Sequence, residues 1–365
     1  MDLYIHFGIY KTGSSFLQYL LVNSRIYLEH NKIYFPVSVN DKKMIKGLIS
    51  PGNADGLENT LKNRDQLKCE KYLSKWFNQA KDIGCTTVLV SSEALVHQMA
   101  KETSLKVLTD AAKNVGFNKI HAMGFFRDLV DHALSTYKHR AKSGKIPDYR
   151  HWIDNIYETP QLLENLVRMR TKDSSIIWTF RKFAKDSIFL QKVFFQDWLQ
   201  IDPPKFKGNP TVNESVTLSE VFLMNSIKKY YPLVTDYFVE ELKKLPNSEK
   251  GKDKDLENHV RLVFFKTLCK KKSGMNEMNL FLNHEEQLVL LEKNIQKESS
   301  QKELYKLVFS ERQIQLVLQK TQFFRGIQGI SIIVRRKIVR LLPKHFIMDL
   351  IEGISNDSSL SKIDK

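Results

Sequence analysis

A strand that runs into a glycine-flanked loop and then a helix leaves few folds open. This chain begins that way, with Leu3-Tyr4-Ile5-His6-Phe7-Gly8-Ile9-Tyr10-Lys11-Thr12-Gly13-Ser14-Ser15-Phe16-Leu17-Gln18. Leu3, Ile5 and Phe7 alternate as in a strand, and Phe16, Leu17, Leu20 and Leu21 share one face of the following helix. At such a helix start the backbone N–H groups point outward and the dipole favours negative charge, so the unit is a site for an anion. Gly8 and Gly13 have the spacing of a nucleoside-triphosphate loop, Gly-x-x-x-x-Gly-Lys-Ser/Thr. Ser14 occupies the place where that loop needs lysine, and Lys11 lies inside the loop instead. The displacement argues against a P-loop kinase or NTPase. A glycine-serine turn without a ligand is the bland alternative.

The 365 residues suffice for one large domain, or one domain with an appendage. A net charge of +16 calls for anionic partners: nucleotide phosphates, an acidic glycan or an anionic membrane surface. The basic residues are spread out, with no helix-turn-helix, zinc-finger or RNA-binding signature, so nucleic acid is not an expected partner. Cys69, Cys85 and Cys269 make no disulfide framework and no metal-ligand spacing, which fits a reducing compartment. The N-terminus opens directly into a strand, and no apolar run approaches the roughly 20 residues of a membrane span. The expected location is cytoplasmic, with a peripheral contact on the inner membrane face as an option.

Along residues 1–200, short apolar strands alternate with helical patterns. Strands are expected at Ile33–Phe35, Thr86–Val90, Lys119–Phe126 and Ile176–Phe180, and helices around Tyr72–Phe77, over 102–115 and over 189–199. A polar excursion over about 40–65 reads as a long loop. The expected fold class is therefore α/β: a P-loop-like central parallel sheet with helices on both faces. Beyond about 217 the chain reads as helical and charged, with 246–256 as a linker or exposed loop. The division expected is an α/β domain over 1–230, a helical extension over 231–352 and a disordered tail over 353–365. Residues 325–345 interleave Ile and Val with Arg and Lys, as in a helix that lies on an anionic membrane or docks on the core with a solvated basic face.

A second anion site is expected at Phe126-Arg127-Asp128-Leu129-Val130-Asp131-His132-Ala133-Leu134-Ser135-Thr136-Tyr137. Arg127 sits where a strand ends, Asp128 is placed to cap a helix, and Ser135 follows two turns along it. An arginine fork and a hydroxyl can both reach one phosphate. After the strand Thr86–Val90 comes Ser91-Ser92-Glu93, which puts Glu93 at the carboxyl end of a sheet strand, where open α/β sheets bind ligands. A carboxylate that only matches a helix dipole is the plain alternative for Glu93.

Lys11-Thr12-Gly13-Ser14-Ser15 resembles the loop with which sulfotransferases hold the 5′-phosphosulfate of 3′-phosphoadenosine 5′-phosphosulfate, and His6 and Gln18 resemble the bacterial carbohydrate-type branch. The segment Arg127 to Tyr137 resembles the family motif for the donor's 3′-phosphate, with Leu129 for the usual proline and His132 for a frequent arginine. The resemblance implies that Lys11, Thr12, Gly13, Ser14, Ser15, Arg127 and Ser135 bind the donor, with Asn213 a weaker candidate in the loop 207–215. It implies Glu93 as general base, His97 as the second candidate and His132 as a distant third. It also implies metal-independent transfer to a hydroxyl of a carbohydrate, glycolipid or other acceptor. The likeness covers about 1–230. A sulfotransferase fold that has lost catalysis and serves as a scaffold is the non-enzymatic alternative.

Overall fold

The computed structural model describes residues 1–141, 148–205, 216–228, 241–242, 244–251, 253–290 and 308–316. The chain divides into two compact units, each assembled from separated segments. The first comprises Met1–His132, Tyr157–Val212 and Leu268–Leu290, and the second Ala133–Ile156, Asn213–Thr267 and Leu291–Lys365.

The first unit is an α/β layer structure around five parallel strands: β1 (Asp2–Gly8), β2 (Ile33–Tyr34), β3 (Thr87–Ser91), β4 (Ile120–Phe126) and β5 (Ile176–Lys182). Their order is β2-β3-β1-β4-β5. β3 and β4 bury apolar residues on both faces, among them Val88, Leu89, Val90, Ala122 and Met123, as a parallel sheet covered on both sides requires, while β1 buries Leu3, Ile5 and Phe7 on one face and His6 on the other. β1 lies between β3 and β4, in register His6 to Ser91 and Phe7 to Gly124. The chain thus builds away from β1 in both directions, and the carboxyl end of β1 opens at the point where strand order reverses.

Among the described residues the α-helices, in chain order, are α1 (Ser14–Asn23), α2 (Arg25–His30), α3 (Asp41–Met44), α4 (Asp55–Asn63), α5 (Gln66–Asp82), α6 (Val96–Met99), α7 (Glu102–Val115) and α8 (Leu129–Ala141). There follow α9 (Tyr149–Asn155), α10 (Thr159–Lys172), α11 (Ser187–Gln191), α12 (Leu218–Lys228), α13 (Lys254–Leu268) and α14 (Ser273–Asn279). α1 packs Leu17, Leu20 and Leu21 onto Leu89, Met123 and Phe125 of the sheet, together with Phe194, Phe195 and Trp198. Each such side chain, fully buried, stabilises the unit by about 1.5–3 kcal/mol. That packing fixes where α1 begins, and so where the loop before it lies.

In the second unit, α12 opens with a capping box: Glu220 N donates to Thr217 Oγ1 (3.1 Å) and Thr217 N to Glu220 Oε2 (2.8 Å). Tyr137, Trp152 and Phe264 form an aromatic cluster with centroids 5.5–6.1 Å apart.

Two sequence expectations need correction. The polar stretch 40–65 is not one loop: it holds α3 and α4, with Met44, Leu57 and Leu61 buried. Nor is 246–256 wholly exposed, because Lys250 and Asp253 are buried. Lys250 Nζ lies 3.8 Å from Glu220, and a buried carboxylate makes a buried lysine tolerable. The segment 325–345 and the tail 353–365 lie outside the described residues.

Candidate functional site

The loop between β1 and α1 holds two left-handed residues, Lys11 (φ 68°) and Gly13 (φ 81°). A left-handed lysine costs on the order of 1 kcal/mol, so the surroundings must enforce it. Two contacts do so. Thr12 Oγ1 donates to the Ile9 carbonyl at 2.6 Å, and His132 Nε2 donates to the Tyr10 carbonyl at 2.8 Å. His132 is itself held through Nδ1 by the Tyr157 hydroxyl, also at 2.8 Å. The Gly13 carbonyl accepts from Phe16 N and Leu17 N and starts α1. Among the described residues, the backbone N–H groups of Thr12, Gly13, Ser14 and Ser15 meet no protein acceptor, since the first N–H groups of a helix have no intrahelical partner. A Cβ on Gly8 would stand 2.8 Å from Ser14 Oγ and 3.1 Å from Thr12 Oγ1, so the absence of a side chain there leaves room for both hydroxyls.

The end of β3 forms the second wall. Ser92 N donates to the His6 carbonyl (3.0 Å), and Ser91 Oγ bonds His6 Nδ1 (2.8 Å). Ser91 is also clamped by Asn53, whose Oδ1 accepts from Ser91 N at 2.8 Å and whose N donates back to the Ser91 carbonyl at 3.1 Å. The clamp depends on Gly52 (φ 89°), where any Cβ would fall 1.9 Å from the Ser91 oxygen. The chain then turns into the single 3₁₀ turn Glu93–Leu95. Burial pushes the Glu93 carboxyl up to about 7, against the opposing pull of Ser14 and the Lys11 charge. Lys11, Ser14 and Glu93, which are read from two separate sequence segments, therefore share one electrostatic neighbourhood.

Four polar atoms at this end of the sheet are buried without a protein partner: His6 Nε2, Ser14 Oγ, Gln18 Nε2 and Ser92 Oγ. Ser14 Oγ misses hydrogen-bond geometry, though it stands near enough to Glu93 to favour the carboxylate. Gln18 is not free to turn away, since its Oε1 accepts from Ser50 Oγ at 2.9 Å. Burial depresses the His6 imidazole to about 3, so the ring is neutral at ordinary pH. An unmet buried polar group costs about 1–3 kcal/mol, and several together mark a place that a ligand or water completes.

Arg127 follows β4 and lies 3.9 Å from Asp131, with its guanidinium 5.9 Å from the centre of the Phe183 ring. The same Phe183 ring, with Leu190, backs Gly13: a Cβ on that glycine would come within 2.9 Å of both. One aromatic side chain thus bridges the two expected phosphate motifs. Asp128 accepts from Lys182 Nζ (2.9 Å) and Val289 N (2.8 Å). The His97 ring lies 6.3 Å from that of Tyr10 and so borders the loop. Ser135 is half-buried on α8 in the second unit. Asn213 lies outside the described residues. An open hollow of about 730 Å³ elsewhere in the first unit, lined by Arg25, Tyr27, His30, Asp202 and Lys205 among others, includes none of these groups.

Phe183, Ser50 and Asn53 complete the site and carry no local sequence signal of that role, whereas Ser92 belongs to the Ser91-Ser92-Glu93 pattern read after β3. Pro51-Gly52-Asn53 is a turn signal, but nothing local says that the turn closes on β3. The arrangement offers an anion four N–H groups, hydroxyls, a lysine and an arginine, beside a carboxyl that changes charge near neutrality. Compared with known families, curated proteins and solved structures, the chain matches none.

Proposed function

We propose that the chain is a sulfotransferase, similar to the carbohydrate-type bacterial enzymes, that moves a sulfuryl group from 3′-phosphoadenosine 5′-phosphosulfate to a hydroxyl acceptor. The observation that carries this reading is the convergence of Lys11, Ser14 and Glu93, with Glu93 raised to about 7 beside unpaired loop N–H groups. A P-loop-like identity for the fold is supported by the loop at the carboxyl end of the central strand β1.

In this reading the N–H groups of Thr12 to Ser15 hold the 5′-phosphate of the donor, and Arg127 holds the 3′-phosphate. The assignments of Ser135 and Asn213 stay with the motifs that suggested them. Glu93 takes the proton of the acceptor hydroxyl as its oxygen bonds to sulfur. The bond from sulfur to the 5′-phosphate oxygen breaks in line, and Lys11 meets the charge left on that oxygen. His6, neutral and bonded to Ser91, fixes the β3 end, and His132 braces the loop through Tyr10. His132 is thereby a positioning residue, and Glu93 has the better claim as base.

Transfer of labelled sulfate from the donor to cell-envelope extract tests the reading. Wild type is expected to label a carbohydrate or glycolipid fraction, while Lys11→Ala and Glu93→Gln do not. No transfer, with donor binding intact, would favour a scaffold on the same fold. Binding of ATP in preference to the 3′-phosphorylated nucleotide would favour a kinase. Among the described residues no helix is long and apolar enough to cross a membrane. A cytoplasmic location is part of the same proposal.

A further inference from the structure

Between Pro36 and Gly52 the first unit carries a strap whose held and exposed residues differ in kind. Arg25 grips Asp41 through two bonds (2.6 and 3.0 Å) and donates to the Phe35 and Pro36 carbonyls (both 3.1 Å). Asn40 Nδ2 donates to the Gly52 carbonyl (2.9 Å), Ser50 bonds Gln18, and Met44 is buried in the core. Outward the strap presents apolar side chains: Val39 is 89 % exposed and Val37 72 %, with Ile45, Leu48 and Ile49 exposed as well. Lys42, Lys43 and Lys46 are exposed among them. Asp41 is the only acid in the segment, and Arg25 neutralises it.

A strap held by so many bonds is not apolar by accident of fraying. Exposed apolar groups gathered in one segment mark a contact surface. The lysines say which kind. Apolar side chains that enter the acyl boundary, flanked by cations that meet head-group phosphates, are the chemistry of an anionic bilayer surface. A second copy of this chain would set lysine against lysine. We infer that the strap Val37–Ile49 seats the first unit on an anionic lipid bilayer. Its far end is bonded to Gln18 and, through Asn53, to Ser91, next to Ser92 and Glu93. The lipid contact stands independently of the transferase reading. Joined to that reading, it makes the acceptor a hydroxylated head group of a membrane-embedded lipid.

The reporter is Val39→Trp in the full chain, because all four native tryptophans are buried and so shielded from lipid. Vesicles of phosphatidylcholine, with and without phosphatidylglycerol, are prepared with bromine on the acyl chains. The expected result is a blue shift and bromine quenching of the new tryptophan, only where phosphatidylglycerol is present. Replacing Lys42, Lys43 and Lys46 together by Gln should weaken vesicle binding roughly 100-fold, at about 1 kcal/mol per cation. Absence of vesicle binding overturns the inference. So does binding in which Val39→Trp stays unquenched, since another basic surface would then make the contact. No step uses the sulfuryl donor, so failure here leaves the transferase reading standing, and failure of transfer leaves this inference standing.

Discussion

Glu93 and Glu220 are both carboxyls that burial pushes upward, one in each compact unit, yet their surroundings are finished to different degrees. Glu220 is closed in: it accepts from Thr217 N at 2.8 Å and from Gln313 Nε2 at 2.6 Å, with Lys250 Nζ 3.8 Å away and both charged side chains almost wholly buried. The bonding continues outward, as Gln313 Oε1 accepts from Gly251 N and Ser310 N, and Asp253 accepts from Ser219 N. Glu93 has Lys11 and Ser14 near it, but Ser14 Oγ, Ser92 Oγ, Gln18 Nε2 and His6 Nε2 are left without partners. A saturated cluster holds segments together, whereas an unsaturated one, braced from behind by His132 and Asn53, waits for something to complete it.

The largest effect expected at the open cluster is on turnover. Glu93→Gln should lower kcat by about 10²–10⁴-fold, the usual range for removing a general base. Wild-type kcat/KM should climb with pH and level off above about 7, where the carboxyl is ionised, and the variant should lose that rise. At the closed cluster, Lys250→Met should destabilise the second unit by about 3–5 kcal/mol in urea unfolding, because Glu220 is left buried and uncompensated. A neutral outcome there would erase the contrast between the two carboxyls.

The next effect has the opposite sign. The Glu93 carboxyl titrates near 4.5 when unfolded and near 7 when folded, so the folded state holds its proton more tightly. Its favourable contribution is present below pH 4.5 and lost as pH rises through 7. Glu93→Gln should therefore be more stable than wild type above pH 7, by roughly 3 kcal/mol for such a shift, and no more stable near pH 4. Thermal melts at both pH values check this. Smallest is His132→Phe, which removes the donor to the Tyr10 carbonyl. Donor affinity should fall about 10-fold, the equivalent of one hydrogen bond, while the pH at which kcat/KM levels off stays put.

Much of this contrast could be read from sequence on one side and little on the other. β1, β3 and β4 announce themselves as buried apolar runs, and the apolar spacing over about 102–115 is a local signal that α7 (Glu102–Val115) matches. The loop with Lys11, and Glu93 after β3, were legible for the same reason. The polar composition of 40–65 hid α3, which depends on Arg25 and the α1 core, and α4, which packs against α5 and α7. Asn53 meets Ser91 across the fold, and Lys250 meets Glu220 likewise, so neither pairing has a local signature. Composition alone read Lys250 as solvated. The buried carboxylate that overrides that reading is thirty residues away in sequence.

The central claim is that the unpaired groups at the end of β1 hold a doubly phosphorylated adenosine. Calorimetric titration of the full chain with adenosine 3′,5′-bisphosphate tests it most directly. The account predicts saturable one-site binding that Lys11→Ala weakens by at least about 10-fold, the equivalent of one charge-assisted hydrogen bond, with ATP binding more weakly. No heat from wild type, or binding untouched by Lys11→Ala, would contradict it.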